Sequence, residues 1–446
     1  MESCRASPVI ICAAARSGNV SGKKEHPLLA VLKNSWALLL GMLLLMIGNG
    51  LQGSLLGVRG ADAGFSAGTM SIVMSGYFAG FLVASRTVPG MIRRVGHVRV
   101  FAALGSFVSA VLILFPTIED PIAWTLGRVA LGFCFCGVYV TAESWLNNAS
   151  DNATRGQALS AYMIVQMAGI IVSQGLLLVP DASGFLLFVI PSVLVSISFA
   201  PILLSVQPTP SFESTKPMTL KELYGVSPLG MVGMFLLGGT FAAQFGMSAV
   251  YATEVGLTLP QVSMFVAAFY VGALVMQYPL GWASDRIDRR WLIMLAAAAG
   301  AVAGLLAIVL GGVFQVLLVS AFFIGGCSNP LYSLLIAYTN DFLEPEDMAS
   351  ASAGLLFVTG LGAIAGPLVI GYVMEAVGPQ GFFLLITGLL GTLAVYALYR
   401  MTQRPSPRET GAYAIVSPAY TPVAVESAQE YFIEQAQDAE APENAA

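Results

Sequence analysis

The residues of this chain able to do chemistry sit inside apolar runs. Arg128 stands in the stretch RVALGFCFCG. A guanidinium in lipid costs at least about 2.5 kcal/mol, so it must face protein, water or a ligand. It can serve as a clamp for an anionic group, or it can tie two helices together by donating to backbone carbonyls. Glu143 follows fifteen residues later, roughly 22 Å along a helix, too far for direct pairing. It shares a helical face with Arg128, Phe135 and Tyr139 and lies within reach of Arg155 and Arg94. That placement suits a charged gate, or a carboxyl that takes up a proton. A third group consists of amides and hydroxyls: Asn49, Gln52, Gln166, Gln244, Asn329 and Tyr332. Gln244, Ser248 and Tyr251 follow the i, i+4, i+7 spacing of one helical face. Buried amides are costly unless paired, so each either joins neighbouring helices or lines a shared solute cavity together with Arg128 and Tyr139. Tyr270 and Gln277 are further candidates for that lining.

The elements that must position these groups follow from composition. Charged residues are 10% of the 446 and hydrophobic ones 57%, where soluble domains carry about 25% charge. A chain of this kind cannot surround itself with a water-facing surface. The net charge is -5, and the segment from Glu409 onward holds seven acids and no base. Nucleic acid, which needs a basic stripe, is therefore excluded as a partner. The five cysteines have no metal-site or disulfide spacing, so neither a metal nor another cofactor is expected. The histidines, His26 and His97, both fall outside the apolar runs, in segments expected to be cytoplasmic, leaving no membrane Ser–His pair for a hydrolase. No G-x-x-x-x-G-K-[ST] string supports an ATP-driven pump. An enzyme is not expected.

Charge-free runs cover 34–58, 63–85, 100–118, 156–180, 182–212, 223–253, 255–284, 348–374 and 376–399. Each can supply the roughly 20 apolar residues of one bilayer-spanning helix. The run 291–340 breaks at Gly311-Gly312 into two, and 121–146 is apolar apart from Arg128 and Glu143. The expectation is an all-α membrane protein of twelve spans with both termini on one side. Eighteen of the twenty Lys and Arg fall on the cytoplasmic side if the N-terminus is cytoplasmic, with Arg59 outside and Arg128 in the membrane. Residues 1–35 and 402–446 read as disordered cytoplasmic tails, the second acidic. The polar, proline-bearing stretch 207–227 reads as a cytoplasmic linker between six-helix halves at 36–206 and 228–401.

Those halves are related. Shifting the chain on itself by 192 residues superposes Gln52 on Gln244, Ser71 on Ser263, Gly80 on Gly272 and Ser160-Ala161 on Ser352-Ala353. Parallel repeats of this kind place a solute site near the bilayer midplane between the halves.

The motifs on this frame resemble those of the major facilitator superfamily. GWASDRIDRR, residues 281–290, is similar to the family's cytoplasmic G-x-x-x-D-R-x-G-R-R loop, with Asp288 at the second glycine. Its first-half counterpart, PGMIRRVGHVR, has Arg93 where that motif has Asp. RVALG resembles the family's R-x-x-x-G motif, GAIAGPLVIG its G-P-x-x-x-G motif, and TAESWLN with RGQALSAYM a poorly characterised bacterial permease branch. The fifth run, AGIIVSQG, lacks the proline of the drug-antiporter version. The resemblance implies a monomeric secondary transporter of the bacterial inner membrane, moving a small solute with protons by alternating access. Drug or metabolite efflux and a transporter-like sensor without flux are the alternatives. It further implies a gate at Glu143, Arg155, Arg94, Asp285, Arg286 and Arg290.

Overall fold

The computed structural model describes residues 27–149, 155–180, 184–204 and 218–403. Among the described residues all regular structure is helical. In the first half α1 is Pro27–Asp62, α2 Ala67–Val95, α3 His97–Leu114, α4 Pro121–Ala149, α5 Arg155–Leu176 and α6 Leu186–Leu204. In the second, α7 is Leu220–Val226, α8 Pro228–Ala242, α9 Ser248–Glu254, α10 Leu259–Ser284, α11 Arg289–Leu310, α12 Phe314–Asn340, α13 Pro345–Val377 and α14 Gly381–Gln403. Eleven helical stretches are long and apolar enough to cross a membrane, α8 and α9 counting as one with the π-turn Ala243–Met247 between them, and α6 adds a shorter apolar segment. The outer surface is apolar, with Ile122, Val309 and Val395 more than two-thirds exposed. That suits lipid, where helices need no polar face.

The helix ends differ from the expectation at three places. α1 begins at Pro27, inside the stretch 1–35 read as a tail. Within the expected linker, Thr219 caps α7: its Oγ1 accepts from Glu222 N, and Glu222 Oε2 accepts from Thr219 N at 3.0 Å, the reciprocal pattern of a capping box. α14 runs on to Gln403, past the expected start of the acidic tail. The remainder of both tails, and 207–217 of the linker, lie outside the described residues.

The 192-residue offset reappears in the helix bounds. α2 and α10 start at 67 and 259, α3 and α11 at 97 and 289, and α1 and α9 end at 62 and 254. Packing repeats with it. α2 crosses α4 so closely that a Cβ on Gly80 would stand 1.9 Å from the Val129 carbonyl oxygen, and one on Gly132 1.8 Å from that of Tyr77. α10 crosses α12 in the same way, Gly272 against Phe322 O at 1.9 Å and Gly325 against Phe269 O at 2.0 Å. Small residues let membrane helices approach where burial of apolar surface supplies no drive. Between the halves, α2 packs on α13, α1 on α9, and α5 on α10.

Since α1 begins and α14 ends on one side of the bundle, that side is called the terminal face and its opposite the far face. Near the far face the halves are stitched by polar contacts. Ser66 Oγ donates to Glu375 Oε1 at 2.7 Å, Ser263 Oγ to the Gln174 carbonyl at 2.5 Å, and Ser75 Oγ to that of Ile364 at 3.0 Å. Gly371 admits Ser71 so closely that a Cβ there would clash at 2.3 Å.

Candidate functional site

Between the halves lies a cavity of about 140 Å³. That is many times the roughly 10–15 Å³ needed to hold one water. Its lining descends from Gln52 and Arg128 toward the terminal face, reaching Ser85 on α2 and Leu356 on α13. The far face is closed over it by the contacts just described.

Arg128 is 2% exposed. Its Nη1 donates to Gln52 Oε1 at 2.6 Å; Gln52 Nε2 donates to Asn49 Oδ1 at 3.1 Å; Asn49 Nδ2 donates to the Tyr139 hydroxyl at 2.7 Å and is 3.4 Å from that of Tyr77. A single chain of donors and acceptors thus runs from α4 through α1 back to α4 and on to α2. The guanidinium also lies 4.8 Å from the centre of the Tyr77 ring, close enough for a cation–π attraction. No carboxylate pairs with Arg128 among the described residues, and its buried Nε has no hydrogen-bond partner. Gln166, 1% exposed on α5, lines the same cavity with neither amide atom bonded. Leaving a buried polar group unsatisfied costs about 1–3 kcal/mol, and more for a charged one.

The structure therefore brings Asn49, Gln52, Arg128, Tyr139 and Gln166 together, with Tyr270 opposite on α10. It does not bring Gln244, Asn329 or Tyr332 into the lining. The reason lies in the π-turn, which breaks the i, i+4, i+7 face expected through Gln244, Ser248 and Tyr251. Gln244 points to α12 instead, donating to Ser328 Oγ at 2.9 Å. Asn329 spends its amide on its own helix, at the Gly325 carbonyl, and Tyr332 stands behind Phe241, ring centres 6.3 Å apart. Sequence reasoning overlooked the apolar walls, Phe78 and Phe81 from α2 with Phe241 and Phe245 from the second half. Aromatics spaced among lipid-facing residues carry no mark that separates cavity from membrane.

Toward the terminal face, one turn beyond Tyr139, Glu143 is 1% exposed and accepts from the Tyr162 hydroxyl at 3.3 Å. Tyr332 of the second half is within its electrostatic reach. Of the expected gate residues, Arg94 and Asp285 are exposed, Arg286 lies 4.2 Å over the Trp282 ring, and Arg290 pairs with Asp288 at 2.7 Å. Arg155 opens α5, and its side chain lies outside the described residues. The buried pair on this face is one that sequence reasoning did not make: Arg289 with Asp341, each side chain 2% exposed.

The sequence profile of the Major Facilitator Superfamily matches residues 38–258 and 229–421. The chain belongs to that superfamily. Among curated superfamily members, an uncharacterized MFS-type transporter of Bacillus subtilis, YfkF, is 26% identical over 360 residues, covering 78% of this chain and 90% of its own. The YcaD transporter of Salmonella arizonae, likewise uncharacterized, is 24% identical, covering 83% and 96%. Among solved structures, the nucleoside transporter NupG superposes with a TM-score of 0.61 at 16% identity, covering 84% of this chain and 99% of its own. An inward-facing, occupied bacterial homologue of the human lysosomal transporter Spinster gives 0.65 at 14%, covering 93% and 98%. The Escherichia coli fucose:proton symporter FucP gives 0.55 at 14%, covering 83% and 99%. These likenesses show the fold. As an MFS protein, the chain is a multi-pass membrane transporter.

Proposed function

We propose that the chain is a secondary active transporter that moves a small solute by rocking its two halves about the central cavity, with proton coupling through Glu143. The observation that carries this is the cavity itself. It lies between two repeated halves, is lined by a connected polar network, and is closed toward one face. The Lys and Arg bias supports a cytoplasmic terminal face, and with it an inward-facing reading of this conformation. The structural neighbours' names speak for the same reading, since NupG is a nucleoside transporter and FucP a fucose:proton symporter.

The test is flux in proteoliposomes. A thermal-shift screen of the purified protein against sugars, organic acids, amino acids and drugs finds the ligand, because binding stabilises by RT ln(1 + [L]/Kd). The ligand should then accumulate when an inside-directed or outside-directed pH gradient is imposed. A ligand that stabilises the protein yet never crosses under any gradient would make the chain a sensor and overturn the proposal.

A further inference from the structure

We infer that the cavity takes a small organic monoanion, its carboxylate or other singly charged anionic group held at Arg128 and Gln166 and its apolar body between the aromatic walls. The inference rests on the reading of the cavity as a solute site, and deepens it.

Charge comes first. Arg128 is the single charged side chain among the described residues that line the cavity, and the network holding it is neutral: an amide, an amide and two phenols. The site therefore carries one uncompensated positive charge away from water, which a cationic solute would double and a neutral one would leave in place. A monoanion brings it to zero. A dianion would bury a net negative charge, with no second cation to meet it.

The donors agree. The bond to Gln52 uses only one face of the guanidinium and leaves Nε–H without an acceptor. A guanidinium fork matches a carboxylate with two parallel bonds. Gln166 offers an N–H donor and a carbonyl, both unbonded, the donor suited to the second carboxylate oxygen and the carbonyl to a hydroxyl or amine on the body. By contrast the other amides, Asn49 and Gln52, are already committed to one another and to Tyr139. A hydroxyl-rich neutral solute, which needs many free partners, would find few.

Shape supplies the body. Tyr77, Phe78, Phe81, Phe241, Phe245 and Tyr270 all line the cavity, with Phe245 and Tyr270 packed edge to face at 5.2 Å. Aromatic walls favour a planar or apolar body.

The experiment uses the full chain in detergent and in proteoliposomes, with four probes that share a phenyl body: benzoate, benzamide as the neutral isostere, the somewhat larger phenyl phosphate as the dianion, and benzylamine as the cation. Benzoate is expected to raise the melting temperature in a concentration-dependent way, and the other three to act at least tenfold more weakly. Phenyl phosphate binding as tightly as benzoate would assign the site to phosphoryl groups and overturn the monoanion. Arg128→Gln should weaken benzoate about 10- to 100-fold, the usual size of a lost charged hydrogen bond. Should that variant fail to fold, Gln166→Leu removes an amide that bonds nothing else in the unliganded protein and is expected to leave the unliganded melting temperature no lower, since it relieves an unsatisfied buried group, while weakening benzoate about tenfold. No stabilisation by benzoate, or equal stabilisation by benzamide, overturns the inference and leaves transport of a neutral solute standing. Benzoate binding without benzoate flux sinks the transport reading and leaves the site as assigned.

Discussion

Glu375, near the far end of α13, accepts from the Ser66 hydroxyl at 2.7 Å and from the Gly68 backbone N–H at 2.9 Å, so one carboxylate of the second half sits on the first turn of α2 in the first. An anion there is favoured by the unpaired N–H groups of the helix start. Both halves must part at this point for the cavity to open to the far side.

Glu375→Ala should therefore loosen the far-face closure without touching the cavity. Glu375 is exposed, so solvent screens the interaction, and roughly 1 kcal/mol is expected, about a fivefold gain in the far-open population. A cysteine at Ser54 in a cysteine-free background should react correspondingly faster with an impermeant thiol reagent added from the far side. An unchanged rate would mean the carboxylate merely decorates a closure made by packing.

The duplicated glycine crossings predict a sharp contrast. Gly80→Ala and Gly272→Ala each drive a methyl into a backbone carbonyl, and helices held by close backbone approach have no side chain to move aside. A loss of at least about 2–3 kcal/mol is expected, visible as a collapse of folded yield after detergent extraction. Gly64→Ala meets nothing within 4 Å but adopts φ +74°, so its cost is conformational, about 1 kcal/mol.

How much of this was legible in the chain differs by type of feature. The repeat was, because an offset needs only residue types in register, and Gly80 over Gly272 is a register. Arg128 and Gln52 were each conspicuous as polar groups in apolar runs, yet their mutual bond spans 76 residues and nothing local encodes it. Gln244 misled because its symmetry with Gln52 held in sequence but not in backbone: one inserted turn of π geometry reoriented it. The pairing of Arg289 with Asp341, 52 residues apart, was hidden by attention to the loop motif. Arg286 and Arg290 of that motif read as gate residues, whereas Arg289, between them, starts α11 and turns inward to the end of α12.

That pair should matter to stability more than to transport. Removing one member leaves a buried charge unmatched, so Asp341→Asn is expected to cost about 3–5 kcal/mol, while replacing both, Arg289→Met with Asp341→Leu, should recover most of it. Thermal unfolding of the parent chain and of both variants in one detergent checks this. Equal loss in the single and double variants would point to a role beyond charge matching.

Orientation can be read by labelling. Cysteines placed singly at Asp62 and Glu119, exposed near the far face, should react with an impermeant reagent in intact cells. Those at Arg94 and Asp285, exposed near the terminal face, should react only after permeabilisation. Labelling of Arg94→Cys in intact cells would invert the topology and make the conformation outward-facing.

The last expectation concerns coupling. A proton-linked cycle needs a buried group that changes charge and that both halves can sense. Arg128 stays protonated and cannot serve. Glu143 is 1% exposed, receives the Tyr162 hydroxyl from α5 and lies in reach of Tyr332 on α12, so its environment changes when the halves move against one another. Glu143→Gln keeps the shape and an acceptor for Tyr162 but fixes the group as neutral. Solute exchange across the membrane should persist in this variant, because exchange needs the rocking motion alone, whereas accumulation driven by an imposed pH gradient should vanish. Arg128→Lys should do the reverse, weakening solute binding because a compact ammonium cannot reproduce the guanidinium fork, while leaving whatever flux remains responsive to pH. If Glu143→Gln still concentrates solute under a pH gradient alone, the carboxylate is part of a structural gate, and the proton travels by another group.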